Sequence, residues 1–236
     1  DDVESRGLGD VYKRQMYMKG KRLHIQNPKL DVNSKVCFNS NVAASVPTRK
    51  FIKLKMKEFE NHYFIGQVVN ELRSIYLGAP YEYKIEYNFR NVTDKIYQDG
   101  RLRFFCNVPK WMEFLNDSDL TFGSRLHGNI AAVLAGTPAL LVTKDSRTRE
   151  LAEYHHLNAI HESKLNEKLT LQELVEHQDF SQIEKYQKQN FDRYVAFLKK
   201  NDIPNIFMDG EDPQETAFDR KIKQTDLLEG IVPVSQ

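Results

Sequence analysis

The chain has 236 residues, which is enough for one large domain or two small ones, and its 40% hydrophobic content can fill a core. Lys and Arg number 34 against 33 Asp and Glu, a formal net charge of +1. The composition therefore argues against a general binder of nucleic acids or membrane surfaces, which would carry a basic excess. No apolar run approaches the ~18 residues of a membrane span, and no signal peptide is visible, so we expect a cytoplasmic protein. There Cys37 and Cys106, both in strand-like surroundings, are expected to be buried free thiols rather than a disulfide.

The first 15 residues lack the pattern of a folded element. Residues 6–15 resemble a translated sequencing-library adapter, so we expect residues 1–15 to be an assembly artefact and exclude them from the fold. Gly7 and Gly9 are not expected to form a phosphate-binding loop, because no strand precedes them.

From residue 35 onward, short apolar runs alternate with segments of helical periodicity. Strands are predicted at residues 36–38, 63–65, 102–106, 120–123, 139–143 and 158–160. Helices are predicted between them at residues 47–60, 67–76, 108–116, 129–135 and 147–155. This alternation is typical of an α/β domain with a Rossmann-like parallel sheet and helices on both faces, which we place at residues 16–163.

Two further regions follow this domain, and one segment interrupts it. The pattern predicts a helical extension at residues 164–200 and a polar, partly disordered tail at residues 201–236. Within the domain, residues 81–100 form a tyrosine-rich insertion. Its rings could stack on sugars, although a packed loop is the commoner role.

The most informative motif is the run GSRLHGNI at residues 123–130, followed by GTP at 136–138 and DSR at 145–147. Each of two predicted parallel strands ends in a cationic loop that leads into a helix. Ligands of open α/β sheets bind at the carboxyl ends of the strands, where helix amino-termini attract anions. The motif therefore predicts a site for a donor that carries a phosphate or a carboxylate.

Residues 123–138 together with residues 145–151 resemble the carboxyl-terminal half of the polysaccharide pyruvyl transferase family. The resemblance extends over residues 16–163, and residues 39–41 and 64–67 fit it more loosely. It implies the GT-B arrangement, in which two Rossmann-like domains face each other across a cleft. This chain would hold the donor-binding, carboxyl-terminal domain, and an amino-terminal domain of similar size would be missing.

The resemblance also implies an activity. Members transfer an enolpyruvyl unit from phosphoenolpyruvate to a sugar of a bacterial polysaccharide or its lipid-linked precursor, which forms a pyruvate ketal. It implies phosphoenolpyruvate as co-substrate and no metal or organic cofactor. The expected partners are phosphoenolpyruvate, a sugar acceptor and the missing domain, with no nucleic acid.

Four residues of the motif are candidates for the donor site. The resemblance implies that His127 contacts the donor, as an anion ligand or as proton donor to the leaving phosphate; a helix-capping histidine is the alternative. If the loop is extended, Arg125 projects on the same side as His127 and binds substrate, or it instead braces the loop through carbonyls and a carboxylate. Gly128 would let the backbone approach a ligand, and Asn129 could cap the helix and donate to a phosphate.

The next loop supplies further candidates. Arg147 stands near where the family often has a lysine as a second anion ligand, and a guanidinium can grip a phosphate or carboxylate with two hydrogen bonds. Lys144 and Arg149 are substitutes for it. Asp145 is expected to order the loop as a helix N-cap rather than to act as a base.

Two residues after the second strand, Gln67 and Glu71, could line the same cleft, although Glu71 could equally be a charge on a helix surface. His155, His156 and His161 lack the ligand spacing of a zinc site, so no metal is predicted.

Two alternatives to pyruvyl transfer remain open at this point. One is a GT-B glycosyltransferase with a nucleotide-sugar donor, which would need an acidic residue to hold the ribose. The other is an inactive or truncated domain that only binds anions.

Overall fold

A computed structural model describes residues 23–80, 88–89, 91–205, 207, 210, 212 and 215–234. The predicted artefact at residues 1–15 and the tyrosines Tyr81, Tyr83 and Tyr87 lie outside the described residues.

Six parallel strands form one sheet in the order β3-β2-β1-β4-β5-β6. Their bounds are β1 Val36–Asn39, β2 His62–Gly66, β3 Leu102–Phe104, β4 Leu120–Gly123, β5 Ala139–Thr143 and β6 Ala159–His161. The predicted Rossmann-like sheet is thus confirmed. The strand order reverses between β1 and β4, and this switch point is where such sheets leave a crevice for a ligand.

Helices connect these strands and continue beyond them. In the described residues they are α1 Val46–Met56, α2 Val69–Leu77, α3 Lys95–Gln98, α4 Val108–Asn116, α5 Leu126–Ala135, α6 Ser146–Tyr154, α7 Leu171–Glu176, α8 Gln182–Lys200 and α9 Ala217–Lys223. The side chains of Ser45 and Asn107 cap α1 and α4, each with a proline in the first turn. Right-handed crossovers place α1 and α2 on one face of the sheet and α4, α5 and α6 on the other.

The core lies on both faces of the central strands. Every residue of β1, β4 and β5 is buried, as expected for a parallel sheet covered by helices on both sides. The rings of Phe38 and Phe122 meet edge to face at 6.2 Å, and Phe51 of α1 packs on Phe122. These contacts hold β1 and β4 together directly below the switch point.

The helical extension packs back onto the sheet domain. Lys55 of α1 is buried, and its ammonium donates to the carbonyls of Glu167 and Leu169 and pairs with Glu58 at 2.6 Å. Glu58 in turn accepts the N–H of Leu171 at the start of α7. Residues 164–200 therefore form part of the same folded body as the sheet.

The tail returns to the opposite edge of the sheet. Ile231 forms an isolated antiparallel bridge with Phe104 of β3, with N···O distances of 2.7 and 3.0 Å. Lys110 pairs with Glu229 at 2.6 Å. The described part of residues 201–236 thus contains α9 and this bridge, and the partial disorder expected there stays a prediction.

Two expectations about local structure need correction. Cys37 is buried, and desolvation raises the pKa of its thiol to about 11, but Cys106 is exposed. β3 ends at Phe104, two residues before Cys106, so the cysteine lies in the turn that leads to α4. Both thiols are free, as expected.

Candidate functional site

The ends of β1 and β4 are joined at the switch point by a small network of hydrogen bonds. The N–H of Arg125 donates to Oδ1 of Asn39 at 2.8 Å, and the N–H of Ser124 donates to the Asn39 carbonyl at 3.3 Å. Ser124 Oγ accepts the N–H of Asn41 at 2.9 Å. These bonds fix the loop that leads into α5.

A buried ion pair braces this loop against the loop after β2. Arg125 Nη2 lies 2.8 Å from Oε1 of Glu71, and Arg125 Nε donates to the carbonyl of Ser40 at 2.7 Å. Glu71 is fully buried, and its Oε2 accepts the N–H groups of Gln67 and Val68 at 2.5 and 3.0 Å. Arg125 therefore has the bracing contacts, and Glu71 is not a surface charge. Whether either residue also touches substrate stays a prediction.

The helix after β4 begins earlier than the sequence predicts. α5 starts at Leu126, with Arg125 as its N-cap, rather than at residue 129. His127 is therefore helical and not part of an extended loop, and the geometric reason for Arg125 and His127 to project on the same side no longer applies. His127 instead stands in the first turn of α5, half-buried, at the carboxyl edge of the sheet.

Asn129 is not at the helix cap. It is buried in α5, and its Nδ2 donates to the carbonyls of Gly123 and Arg125 at 3.2 and 2.8 Å. Asn129 Oδ1 has no hydrogen-bond partner among the described residues. Its contacts tie the end of β4 to α5, and donation to a phosphate stays a prediction.

The main chain at Gly128 lies very close to neighbouring side chains. A Cβ atom there would lie 2.6 Å from Nε2 of Gln67 and 3.1 Å from Nδ2 of Asn39. The Gln67 amide nitrogen is buried and, within the described ranges, has no acceptor. The first turn of α5 therefore lies beside an unpaired amide donor, which favours an anion at this place.

The next strand repeats this arrangement one position along the sheet. β5 pairs with β4, so the amino-terminus of α6 lies beside that of α5. Arg147 is the second residue of α6, as His127 is of α5. Its side chain is exposed and makes no hydrogen bond or ion pair within the part of the chain that the structure describes.

The other cations of this loop are engaged. Lys144 Nζ donates to the carbonyl of Ala43 at 3.1 Å, which ties the loop to the one after β1. Arg149 lies 3.9 Å from Glu153 on the exposed side of α6. Arg147 is therefore the better placed of the three to receive an anion.

Asp145 caps α6. Its Oδ1 accepts the N–H of Thr148 at 2.7 Å and the Thr148 hydroxyl at 2.8 Å. The Thr148 N–H, above all, lowers the pKa of Asp145 from its ordinary value. This is the loop-ordering geometry, in which both bonds are stronger when the carboxylate is ionised.

We expect Asp145→Ala to lower the free energy of unfolding by about 0.5–2 kcal/mol at pH 7, because the cap is lost. Since folding lowers the pKa of Asp145, its contribution is complete above the unfolded pKa of about 3.9 and is lost as the pH falls through the folded pKa. Urea unfolding at pH 7, 5 and 3 should show the gap between wild type and variant equal at pH 7 and 5 and narrower at pH 3. Glu150→Ala, on the same helix and exposed, is the control. A gap that stays constant across this range would contradict the role of the ionised cap.

The sequence contains a local signal for the burial of Glu71. Glu71 and Ile75 are four residues apart on α2 and are both fully buried, so the acid belongs to the apolar face of that helix. Its partner Arg125 is 54 residues away, and no local pattern indicates this pairing.

Two further observations concern the described residues. No helix there combines the length and the apolar character needed to cross a bilayer. The same ranges contain no group of three or more His, Cys, Asp or Glu side chains that could hold a metal ion.

Comparison with known families bears directly on this site. Residues 39–146 match the sequence model of the family described as polysaccharide pyruvyl transferase. The predicted resemblance is thereby confirmed over this range, and it indicates a transferase. The match begins at the end of β1 and stops at the first residue of α6, so it includes Arg125 and His127 and ends one residue before Arg147.

Other comparisons are less informative. No curated protein sequence matches this chain significantly. A solved structure described as the glycotransferase of kitacinnamycin resembles it with a TM-score of 0.42 and 10% identity over 78% of this chain. This chain spans 46% of that protein.

Proposed function

We propose that this domain binds phosphoenolpyruvate for transfer of its pyruvyl group to a sugar of a bacterial polysaccharide or of its precursor, with formation of a pyruvate ketal. The observation that carries the proposal is a pair of neighbouring helix amino-termini, that of α5 at the switch point and that of α6 one strand further along the sheet, which present His127 and Arg147 at equivalent positions. The family match over residues 39–146 supports the choice of reaction.

The proposed donor has two anionic groups, a phosphate and a carboxylate, and the site has two anion-attracting helix ends. In the proposed reaction the methylene carbon of phosphoenolpyruvate is protonated, and two sugar hydroxyls bond to the adjacent carbon. The hydroxyls lose their protons, and inorganic phosphate leaves with its bonding electron pair. Protonation develops positive charge on the carbon that the hydroxyls attack, so an acid for the carbon and a base for the hydroxyls are required.

Within this scheme His127 contacts the phosphate and donates a proton to it as it leaves, and Arg147 holds the other anionic group with two hydrogen bonds. Gln67 and the main chain at Gly128 contact the donor from the side of β2. The Arg125–Glu71 pair acts as support, because it fixes the loop from which α5 starts.

We also propose that the reaction takes place in the cytoplasm. The acceptor and the base belong to the cleft that an amino-terminal domain of the same protein would close. We include that domain in the proposal because the GT-B arrangement has two Rossmann-like domains, and the present chain contains one such unit.

The proposal is tested by titrating this chain with phosphoenolpyruvate in a calorimeter. We expect weak binding that His127→Ala and Arg147→Ala each weaken about tenfold or more, because each removes a contact to an anionic group. Arg193→Ala, an exposed arginine on α8, should leave binding unchanged. In the protein extended by its upstream domain, phosphate release with a panel of sugars should fall at least 100-fold for His127→Ala.

Three outcomes would contradict the proposal. Binding of nucleotide sugars in place of phosphoenolpyruvate would favour the glycosyltransferase alternative. Binding without any phosphate release in the extended protein would favour an inactive anion-binding domain. Full activity of His127→Ala would remove the role assigned to that imidazole.

A further inference from the structure

A cavity of about 440 Å³ lies at the open side of β6, away from the switch point. Residues of α6 and the first residue of α8 contribute to its walls. Its polar lining includes Arg149, His156, His161, Lys164, Gln178 and Gln182. None of the functions assigned above uses this cavity.

The main chain of β6 presents hydrogen-bonding groups to the cavity. The N–H of Leu141 donates to the carbonyl of Asn158 at 2.9 Å, and β6 pairs with β5 in parallel register. Because alternate residues of a parallel strand bond to the same neighbour, Ala159 and His161 direct their N–H and C=O groups away from β5. Both residues line the cavity, where the described residues offer no other strand to pair with them.

Side chains add donors and acceptors of defined type. Nδ1 of His161 lies 2.8 Å from the hydroxyl of Ser163 and accepts the N–H of Ser163 at 3.3 Å, so the contacts to Ser163 leave Nε2 available to a ligand. Gln178 uses its Oε1 to accept from Asn158 Nδ2 at 3.4 Å, which leaves its amide hydrogens available. Gln182 donates to Asp179, which leaves its carbonyl oxygen available.

The acidic residues that line the cavity have hydrogen-bond or ion-pair partners, whereas one of its basic residues makes no ion pair with the described residues. Asp179 accepts from the N–H of Ser181 at 3.0 Å and from its hydroxyl at 2.6 Å, in addition to Gln182. Glu153 lies 3.9 Å from Arg149. Lys164 is exposed and makes no ion pair within the described ranges. The cavity therefore favours a ligand with a negative charge near Lys164.

An aromatic ring, that of His156, is among the groups that line the cavity. The imidazole of His156 stacks on the ring of Tyr186, with a centroid distance of 3.6 Å and an interplanar angle of 13°. Burial lowers the pKa of His156, which keeps the ring neutral near pH 7. A neutral imidazole beside several amide and main-chain groups suits a ring that carries hydroxyls.

We propose that this cavity binds one sugar residue that bears a negative group, either a carboxylate or a phosphate. The main-chain edge of β6 and the two glutamine amides bind the hydroxyls, and Lys164 binds the negative group. Thr143 lines the cavity and directly precedes the loop to α6, so the cavity adjoins the proposed donor site along the same edge. Identification of this sugar as part of the acceptor rests on the proposed function, whereas sugar binding itself does not.

The test is an NMR titration of the ¹⁵N-labelled chain with glucuronate and with glucose 6-phosphate, which separate the two sources of negative charge. Glucose and inorganic phosphate are the control ligands. At least one charged sugar should shift the amide signals of Ala159, His161 and Gln182. Lys164→Ala and Gln182→Ala should each weaken this binding about tenfold, and Lys168→Ala, an exposed lysine outside the cavity, should change it less than twofold.

Several results would overturn the inference. These are the absence of shifts with both charged sugars, equal binding by Lys164→Ala and wild type, and glucose binding as tight as that of the charged sugars. Inorganic phosphate that reproduces the shifts at equal affinity would reduce the cavity to an anion site and would also overturn it. Failure here is separable from failure of the proposed function, because the two sites are tested with different ligands and because His127 and Arg147 do not line the cavity, so their substitutions affect only the donor site.

Discussion

Replacement of Glu71 by alanine should lower the free energy of unfolding by about 3–5 kcal/mol, because it leaves the largely buried Arg125 guanidinium without its counter-charge. The substitution also removes the acceptor for the N–H groups of Gln67 and Val68. For a domain whose total stability is of the order of 5–15 kcal/mol, this is a severe loss. Equilibrium unfolding in urea, followed by circular dichroism, measures it.

Two controls separate the ion pair from the general loss of a carboxylate. Glu150→Ala, on the exposed face of α6, should change stability by no more than about 0.5 kcal/mol. In a double-mutant cycle, Glu71→Ala with Arg125→Ala should cost clearly less than the sum of the single changes, since the partners depend on each other. Additive costs, or a Glu71→Ala variant as stable as wild type, would show that the pair does not brace the loop.

Gly123→Ala is expected to be comparably damaging, for a steric reason. A Cβ atom at this last residue of β4 would lie 2.0 Å from the carbonyl oxygen of Asn39 and 2.4 Å from its Oδ1. β1 and β4 would have to separate where Asn39 fixes Arg125, so we expect a loss of about 3 kcal/mol or more in unfolding free energy. The same urea titration provides the measurement.

Gly100→Ala is the matched comparison for this clash. No atom lies within 4 Å of a Cβ built at Gly100, but the residue has a φ of +62°. Its substitution should therefore cost only the strain of a left-handed conformation, about 1–2 kcal/mol. Phosphoenolpyruvate binding should weaken in Gly123→Ala and not in Gly100→Ala. If the two variants were equally stable, the close approach of β1 and β4 would not be the cause.

The sequence was sufficient for the sheet because the strands are buried on both faces. Val36–Asn39, Leu120–Gly123 and Ala139–Thr143 are short apolar runs between polar turns, and such runs in alternation with helical periodicity predict parallel strands. The motif at residues 123–130, at the end of one of these strands, then predicted the place of the candidate site. Neither inference needed a contact between distant residues.

The local geometry of the site did depend on distant contacts, and here prediction from the sequence was incomplete. Asn129 is a residue type that favours N-caps, but the N–H of Arg125 is satisfied by Asn39, 86 residues earlier, and α5 begins there. Glu71 and Arg125 are likewise brought together only by the order of strands in the sheet. Propensities and spacing along the chain carry no information about such partners.

The bridge between Ile231 and Phe104 has a practical consequence for handling this protein. Truncation ahead of residue 228, whether by a protease or by design, would leave the main-chain groups of Phe104 without these partners at a border strand. A bare border strand is a template for pairing with other polypeptides. Shortened versions of the protein should therefore associate more readily in concentrated solution, and affinity tags are better attached through a long spacer at this end than in place of its final residues.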